Sequence, residues 1–243
     1  MEQPRQTPKK ISPRPVRTLA VDIGGTGIKA LILSSTGKQL TERARVKTPK
    51  PATPASVMKT IVELPQAQGK FDRVSVGFPG VVRRGVTITA PNLDGNWRNY
   101  KLAETLSKKL GKPVRVANDA DMQGFGAIEG HGVELVITLG TGFGSALFVG
   151  GHLVPNLELA HHPFDKGLTY EEKLSDAVRK KIGKKKWNKR LLRAIATLEH
   201  AFNYDHLYIG GGNAKKIIVK LPSNTRIVEN VAGLLGGIAL WRD

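Results

Sequence analysis

Two stretches of this chain share one layout, and that duplication restricts its fold more than any other feature. "TLAVDI", starting at Thr18, is apolar and β-rich, breaks at "GGTG" and resumes as "IKALIL". "VELVITL", starting at Val133, breaks at "GTGFG" and resumes as "SALFV". Each pair is followed by a short turn, "SSTG" or "GG", and a third extended segment. The first of these, "KQLTERARVKT", alternates like a strand with one wet face. Mixed helix and strand sequence follows each hairpin. The layout predicts an α/β chain with one hairpin device per domain. The boundary falls near Asn118, giving a tail over 1–17, an N-terminal α/β domain over 18–117 and a C-terminal α/β domain over 118–243.

The intervening segments fit this plan. The stretch 54–64 reads as a helix ended near Pro65, and "DRVSVGFPG" as a strand running into a turn. In "YKLAETLSKKLG", Leu102, Leu106 and Leu110 share one helical face and Gly111 supplies the C-cap. "PVRVAND" is a strand ending on polar residues. "NKRLLRAIATLEHAF" places Leu191, Ile195, Leu198 and Phe202 on one face, and "HLYIGGG" is a strand entering a glycine turn. "ENVAGLLGGIALW" reads as a glycine-rich apolar helix that packs closely on a neighbour and is free to pack back on the first domain.

Composition removes several classes. A hydrophobic content of 40% supports a real core, against global disorder. With no cysteine there is neither a disulfide nor a thiolate metal site, which fits a reducing cytoplasm. No run of about 18 apolar residues suggests a membrane span. The N-terminal segment, with its four prolines and five Lys/Arg, lacks the apolar core of a signal peptide and reads as a flexible basic tail. The formal charge of +18 predicts attraction to polyanions.

The chemistry gathers at strand ends. Three glycine turns follow apolar strands: Gly24-Gly25-Thr26-Gly27, Gly140-Thr141-Gly142 and Gly210-Gly211-Gly212. Glycine lets the backbone approach an anion, and successive N–H groups can point at phosphate oxygens. Thr26 and Thr141 add hydroxyl donors. Hairpins also use glycine for geometry alone, but three such turns favour a phosphate cleft between two domains. Asp22, beside the first turn, suits a Mg²⁺ held near the phosphates or serves as an ordinary turn cap. Lys29 could touch phosphate but is expected to face solvent from its strand. Asp119 in "VANDAD" is the candidate general base, although Asn118 or Asp119 can equally cap a following helix. Asn92, Glu158 and His161, from "APNLDGNW" and "PNLELAHH", offer groups suited to a polyhydroxylated ligand, since each sugar hydroxyl both donates and accepts.

Together these segments resemble the ROK family of sugar kinases, over roughly Thr18 to the C-terminus. "DIGGTG", "LGTGFGSAL" and "IGGGNA" are similar to its three phosphate motifs, the last on the nucleotide side. "GFPGVV", "PNLDGNW", "ANDAD" and "ELAHH" are similar to its sugar-site segments. The resemblance implies an actin-like, hexokinase-like ATPase fold: two ribonuclease-H-like domains around a central cleft. It implies that Asp119 takes the proton of a sugar 6-hydroxyl, and that Asn92, Asn118, Glu158 and His161 hold the hexose. The turns containing Gly25, Thr26, Gly140, Thr141 and Gly142 would cradle the donor, with Mg²⁺ near Asp22. It also implies a homodimer. The chain departs from many members in lacking their cysteine-rich zinc motif after the histidine, so no zinc is expected. The 17 residues before the first strand are too few for the DNA-binding domain of the family's repressors.

Within that family, "SALFVGGHLVPN" and the lysine run resemble the members that phosphorylate glucose from inorganic polyphosphate, some of which also use ATP. Seven of the eleven residues of "KKIGKKKWNKR" are basic. Lys184, Lys185, Lys186, Lys189 and Arg190 form either a polyphosphate track leading to the cleft or a solvated helical face. Trp187 is a lone aromatic, more simply a core anchor than a base-stacking platform, so nucleic acid is disfavoured as the main partner. The alternatives are an ATP-dependent glucokinase or other hexokinase of the same family with an incidental basic surface, and a non-catalytic polyanion-binding module.

Overall fold

The structure, a computed structural model, describes residues 15–64, 68–228 and 232–241. Residues 1–14 of the expected tail, Pro65, and residues 229–231 at the start of the last expected helix lie outside the described residues.

The first hairpin device is β1 (Thr18–Ile23), β2 (Ile28–Leu33) and β3 (Ala44–Val46), each antiparallel to the next. Then come α1 (Pro54–Glu63), β4 (Arg73–Phe78), a small hairpin of β5 (Val82–Arg83) and β6 (Val86–Thr87), α2 (Leu102–Leu110) and β7 (Val114–Asn118). β4 lies parallel to β1 and β7 parallel to β4, so the first sheet runs β3-β2-β1-β4-β7. Asn118 pairs with Phe78 and belongs to this sheet. After α3 (Asp119–Phe125), the second device is β8 (Val133–Leu139), β9 (Phe143–Val149) and β10 (His152–Val154). The short strands β11 (Pro163–Asp165) and β12 (Leu168–Thr169) lead into α4 (Tyr170–Leu174), α5 (Asp176–Ile182) and α6 (Lys184–Phe202). β13 (His206–Gly210) joins β8 in parallel, β14 (Thr225–Ile227) joins β13, and α7 (Ala232–Leu235) follows. The second sheet, β10-β9-β8-β13-β14, repeats the strand pattern of the first.

Two expectations need correcting. The strand drawn over "KQLTERARVKT" forms a regular ladder only at Ala44–Val46, with a single isolated bridge from Gln39 to Leu33 before it. Upstream, the Thr41 hydroxyl accepts the Ile32 N–H at 3.0 Å, so a side chain occupies the place of a ladder carbonyl and regular pairing lapses. The helix expected from Asn188 begins earlier, at Lys184, and takes in five of the seven basic residues of the lysine run. Trp187 continues the apolar face of Leu191 and Ile195 by one turn and is fully buried, with its indole N–H on the Leu174 carbonyl at 2.9 Å.

Each sheet carries its own core. Val57, Met58, Ile61, Leu102 and Leu106 from α1 and α2 pack on the first; Trp187, Leu191, Ala194, Ile195 and Leu198 from α6 pack on the second. Thr53 caps α1 by accepting the Ser56 N–H, Pro54 pre-sets its first turn, and Gly111 closes α2 at φ 62°. Each large side chain removed from water contributes about 1.5–3 kcal/mol.

The opposite faces are joined by α3, which packs against β4 and β9. The C-terminal segment crosses α3 and returns to the first sheet, where Leu234 and Ile238 pack with Ala20, Leu31 and Leu33. A Cβ at Gly236 would fall 1.8 Å from the Met122 carbonyl, so only glycine permits that crossing. Ser75 Oγ donates to the Gly237 carbonyl at 2.5 Å and accepts the Trp241 indole N–H at 2.8 Å. The α3 helix, which carries Asp119 at its first position, is thereby held from three sides. Among the described residues no helix is long and apolar enough to cross a membrane.

Candidate active site

The strand ends of the two sheets meet across a cleft of about 400 Å³. Asp22 and the first glycine turn stand on one wall, the Gly140–Gly142 turn on the other, and Asn118 and Asp119 on the floor. Asn92, Glu158 and His161 also line it. Of the residues expected at phosphate, Gly24, Gly25, Thr26, Gly140, Thr141, Gly142, Gly211 and Gly212 line the cavity. Gly27 and Gly210 do not. Gly27 turns toward Arg45 and Val46, and Gly210 is the last strand residue, against the Gln123 side chain. The run Lys184, Lys185, Lys186, Lys189 and Arg190 does not line it either; it lies on the start of α6.

The turns are braced so that their geometry persists. Gly24 N–H bonds the Gly27 carbonyl at 3.1 Å, and Gly140 N–H bonds the Gly142 carbonyl at 3.0 Å. Gly211 has φ 87°, and a Cβ there would lie 2.4 Å from the Leu139 carbonyl oxygen, so the third turn sits directly on the end of β8. Asn213, just beyond, donates its backbone N–H to the same Leu139 oxygen at 2.8 Å and its side-chain amide to the Gly140 carbonyl at 3.3 Å. The second and third turns are therefore one unit.

On the floor, Asn118 caps α3: its Oδ1 accepts the N–H groups of Ala120 at 2.7 Å and Asp121 at 3.3 Å. Its amide reaches the Gly80 carbonyl at 3.2 Å and Glu158 Oε1 at 3.4 Å. Capping and site roles thus coincide in one side chain. Ser145 Oγ donates to the Leu157 carbonyl at 2.6 Å and accepts the Leu159 N–H at 3.2 Å, fixing the loop that carries Glu158.

The electrostatics are those of crowded carboxylates. Asp119 is pushed up to about 7, first by desolvation, then by the negative charge of Asp22, with Glu158 and Asp121 adding to it; the Ala120 N–H pulls the other way. Glu158 is also raised, chiefly by desolvation and also by Glu171, while His161 opposes the shift. An acid poised near neutrality beside an open cavity is suited to accept a proton at the working pH.

Lys29 corrects the expectation that it faces solvent. β1 and β2 pair Asp22 with Lys29, and Lys29 Nζ lies 2.7 Å from Asp22 Oδ2, within the cleft wall. Hairpin register, counted outward from the glycine turn, is the signal that finds it. Glu171 and Gln123 line the cavity as well. Glu171 accepts the Phe143 N–H at 3.1 Å and stands over Gly142. Gln123 follows Asp119 by one turn of α3, a spacing that could have found it, whereas Glu171 had no signal in the sequence, because packing of the distant α4 brings it in.

Among the described residues no group of three or more His, Cys, Asp or Glu side chains gathers to hold a metal ion. Mg²⁺ does not need one: it keeps much of its water and is held by one or two carboxylates plus substrate phosphates. Asp22, close enough to Asp119 to raise its pKa and beside the first glycine turn, fits that mode.

Comparison with known proteins identifies the family and the fold. A sequence model of the ROK family matches residues 18–157. The polyphosphate glucokinase of Mycobacterium tuberculosis is 36% identical over 233 residues, covering 89% of this chain and 88% of that protein. Among solved structures, an inorganic polyphosphate/ATP-glucomannokinase from Arthrobacter sp. strain KM is 37% identical. It superposes with a TM-score of 0.83 over 94% of this chain and 99% of its own. A ROK family glucokinase from Streptomyces griseus, in complex with glucose and AMPPNP, has a TM-score of 0.75 at 22% identity, over 92% of this chain and 98% of its own, a likeness of fold. The architecture is the actin-like, hexokinase-like one.

Proposed function

This chain belongs to the ROK family, and from that premise we infer that it is a phosphotransferase that moves a phosphoryl group from inorganic polyphosphate, with ATP as a second donor, to the 6-hydroxyl of glucose. The observation that carries the reading is the floor of the cleft: one carboxyl, Asp119, poised near neutral pH in a cavity lined both by the glycine turns and by Asn92, Glu158 and His161.

The chemistry needs little covalent help. The sugar hydroxyl gives its proton to the Asp119 carboxylate as its oxygen bonds to the terminal phosphorus. The phosphorus–oxygen bond to the rest of the donor breaks, and the leaving oxygen keeps the electron pair. Asn118 orients Glu158 through its amide, and Glu171 joins the acceptor side. Backbone N–H groups of the first two turns, with Thr26 and Thr141, hold the transferred group, and Lys29 offsets the charge of Asp22. A Mg²⁺ ion carried in with the donor, beside Asp22, would neutralise donor phosphate charge. A homodimer is part of the same proposal.

Polyphosphate is favoured as donor by the family relatives' stated donors and by the surface beside the cleft. A flexible polyanion needs a basic path rather than a base-reading surface; of the eleven basic residues against four acidic ones in the sequence from Phe164 to Arg193, Lys184, Lys185, Lys186 and Lys189 are exposed and without an ion-pair partner among the described residues. Purified protein given Mg²⁺, glucose and polyphosphate should form glucose 6-phosphate. Turnover with ATP alone would leave the kinase and remove the donor; no turnover with either would leave a polyanion-binding module.

A further inference from the structure

The lysine run does not stand alone on its helix. Asn188, one turn into α6 and fully buried, donates its amide to two carbonyls, Lys184 at 2.9 Å and Lys216 at 3.1 Å. Its Oδ1 accepts the Ile218 N–H at 2.9 Å. A single side chain thus staples the start of the lysine helix to the segment that leaves the third glycine turn, where Lys215 and Lys216 are both exposed. These two lysines follow Gly212 and Asn213, and Gly212 lines the cleft.

The other side of this surface is tied to the cleft just as directly. Asp176, the first residue of α5, gives its N–H to the Gly140 carbonyl at 2.9 Å. Arg179 donates to Asp176 Oδ1 at 2.7 Å and to Asn213 Oδ1 at 3.1 Å, closing a ring around the second and third turns. α5 then spans about 10 Å at 1.5 Å per residue before α6 begins. Among the described residues Lys184, Lys185, Lys186, Lys215 and Lys216 have no ion-pair partner, whereas Arg179 and Lys180 are paired with Asp176. The first turn of α6 holds three lysines, no acid and no side-chain cap, which opposes the helix dipole and offers folding nothing. Unpaired cations of one sign, brought together from two separate segments at the exit of a phosphate cleft, describe a seat for a long anion.

We propose that Lys215 and Lys216 form a second bank of the donor track, facing the lysines at the start of α6, so that polyphosphate units beyond those in the cleft leave past the third glycine turn and are gripped from both sides. The inference rests on the polyphosphate reading of the donor. It makes these two lysines determinants of chain-length preference, since a short donor ends inside the cleft and a long one reaches the banks. Polyphosphate is favoured over nucleic acid because the banks open from the joined second and third turns of the cleft, and the nearby Trp187 is buried and cannot stack a base.

The test is steady-state kinetics with long-chain polyphosphate and with tripolyphosphate, on the wild type, K215A/K216A, K184A/K185A and the quadruple variant. All four lysines are exposed, and thermal melting verifies folding. K215A/K216A should raise KM for the long chain on the order of tenfold and lower the salt slope of that KM by one to two, because each lost phosphate contact releases fewer counterions. KM for tripolyphosphate should rise far less. The effects of the two pairs should be non-additive, since they hold one chain. If the wild type does not use polyphosphate, the donor reading itself fails. If it does, and K184A/K185A raises the long-chain KM while K215A/K216A does not, only the second bank is overturned. Loss of binding to a single-stranded RNA oligonucleotide with an unchanged polyphosphate KM would likewise overturn it.

Discussion

Replacing Asp119 by Asn should make the protein more stable and nearly inactive at once, and the two effects have a common origin. In the folded chain Asp119 is held near 7 against an ordinary value of 3.8, by desolvation and by Asp22. Between these values the native state keeps a proton that the unfolded chain has lost. Stability therefore falls as pH rises through that window, and the cost is complete above 7. At 1.36 kcal/mol per pH unit the cost is about 4 kcal/mol; water reaching the half-buried carboxyl through the open cleft reduces it to about 2 kcal/mol. Asparagine carries no charge, and its Oδ1 still accepts the Ala120 N–H that Asp119 Oδ1 takes at 2.8 Å. Asp119→Asn should therefore melt about 4–8 °C above the wild type at pH 8, with the gap closing by pH 4. Turnover should fall by about 10²–10⁴, the usual worth of a general base. Scanning fluorimetry across pH, with a coupled glucose 6-phosphate assay, measures both. Two melting curves with the same pH dependence, or turnover within tenfold of wild type, would refute the reasoning.

Other consequences follow from the same geometry. Lys29→Met removes the cation 2.7 Å from Asp22, so the uncompensated Asp22 charge should push Asp119 higher and move the acid limb of the kcat/KM profile to higher pH; an unmoved limb would break that link. Gly211→Ala asks a residue at φ 87° to place a Cβ 2.4 Å from the Leu139 carbonyl, which should cost about 1–3 kcal/mol in urea unfolding and raise KM for either donor. KM for polyphosphate should climb steeply with salt as released counterions are lost, while KM for glucose stays nearly flat.

Much of this architecture was legible because its signals are local. Glycine turns after apolar strands marked both hairpin devices, and the apolar faces of α2 and α6, with the 54–64 segment read as a helix ended near Pro65, gave the helices over each sheet. Leu102 and Leu106 are buried, and Gly111 closes α2 as its position predicts. Asn118 was readable both as a cap and as a site residue, and the structure joins the two in one side chain. What the sequence concealed depends on register and long-range packing. Lys29 enters the cleft because β1 and β2 pair it with Asp22. Glu171 arrives from a helix that folds over the second turn, and β3 is cut short by a threonine hydroxyl. The relation between the lysine run and Lys216 was likewise invisible, since one buried amide spanning 28 positions makes it.

The most direct test of the account is the rate of glucose 6-phosphate formation by the purified protein with Mg²⁺ and glucose, measured side by side with polyphosphate and with ATP. The account predicts turnover with polyphosphate, and a KM for polyphosphate that rises relative to that for ATP when Lys184, Lys185 and Lys186 are neutralised. Turnover with ATP and none with polyphosphate would contradict it.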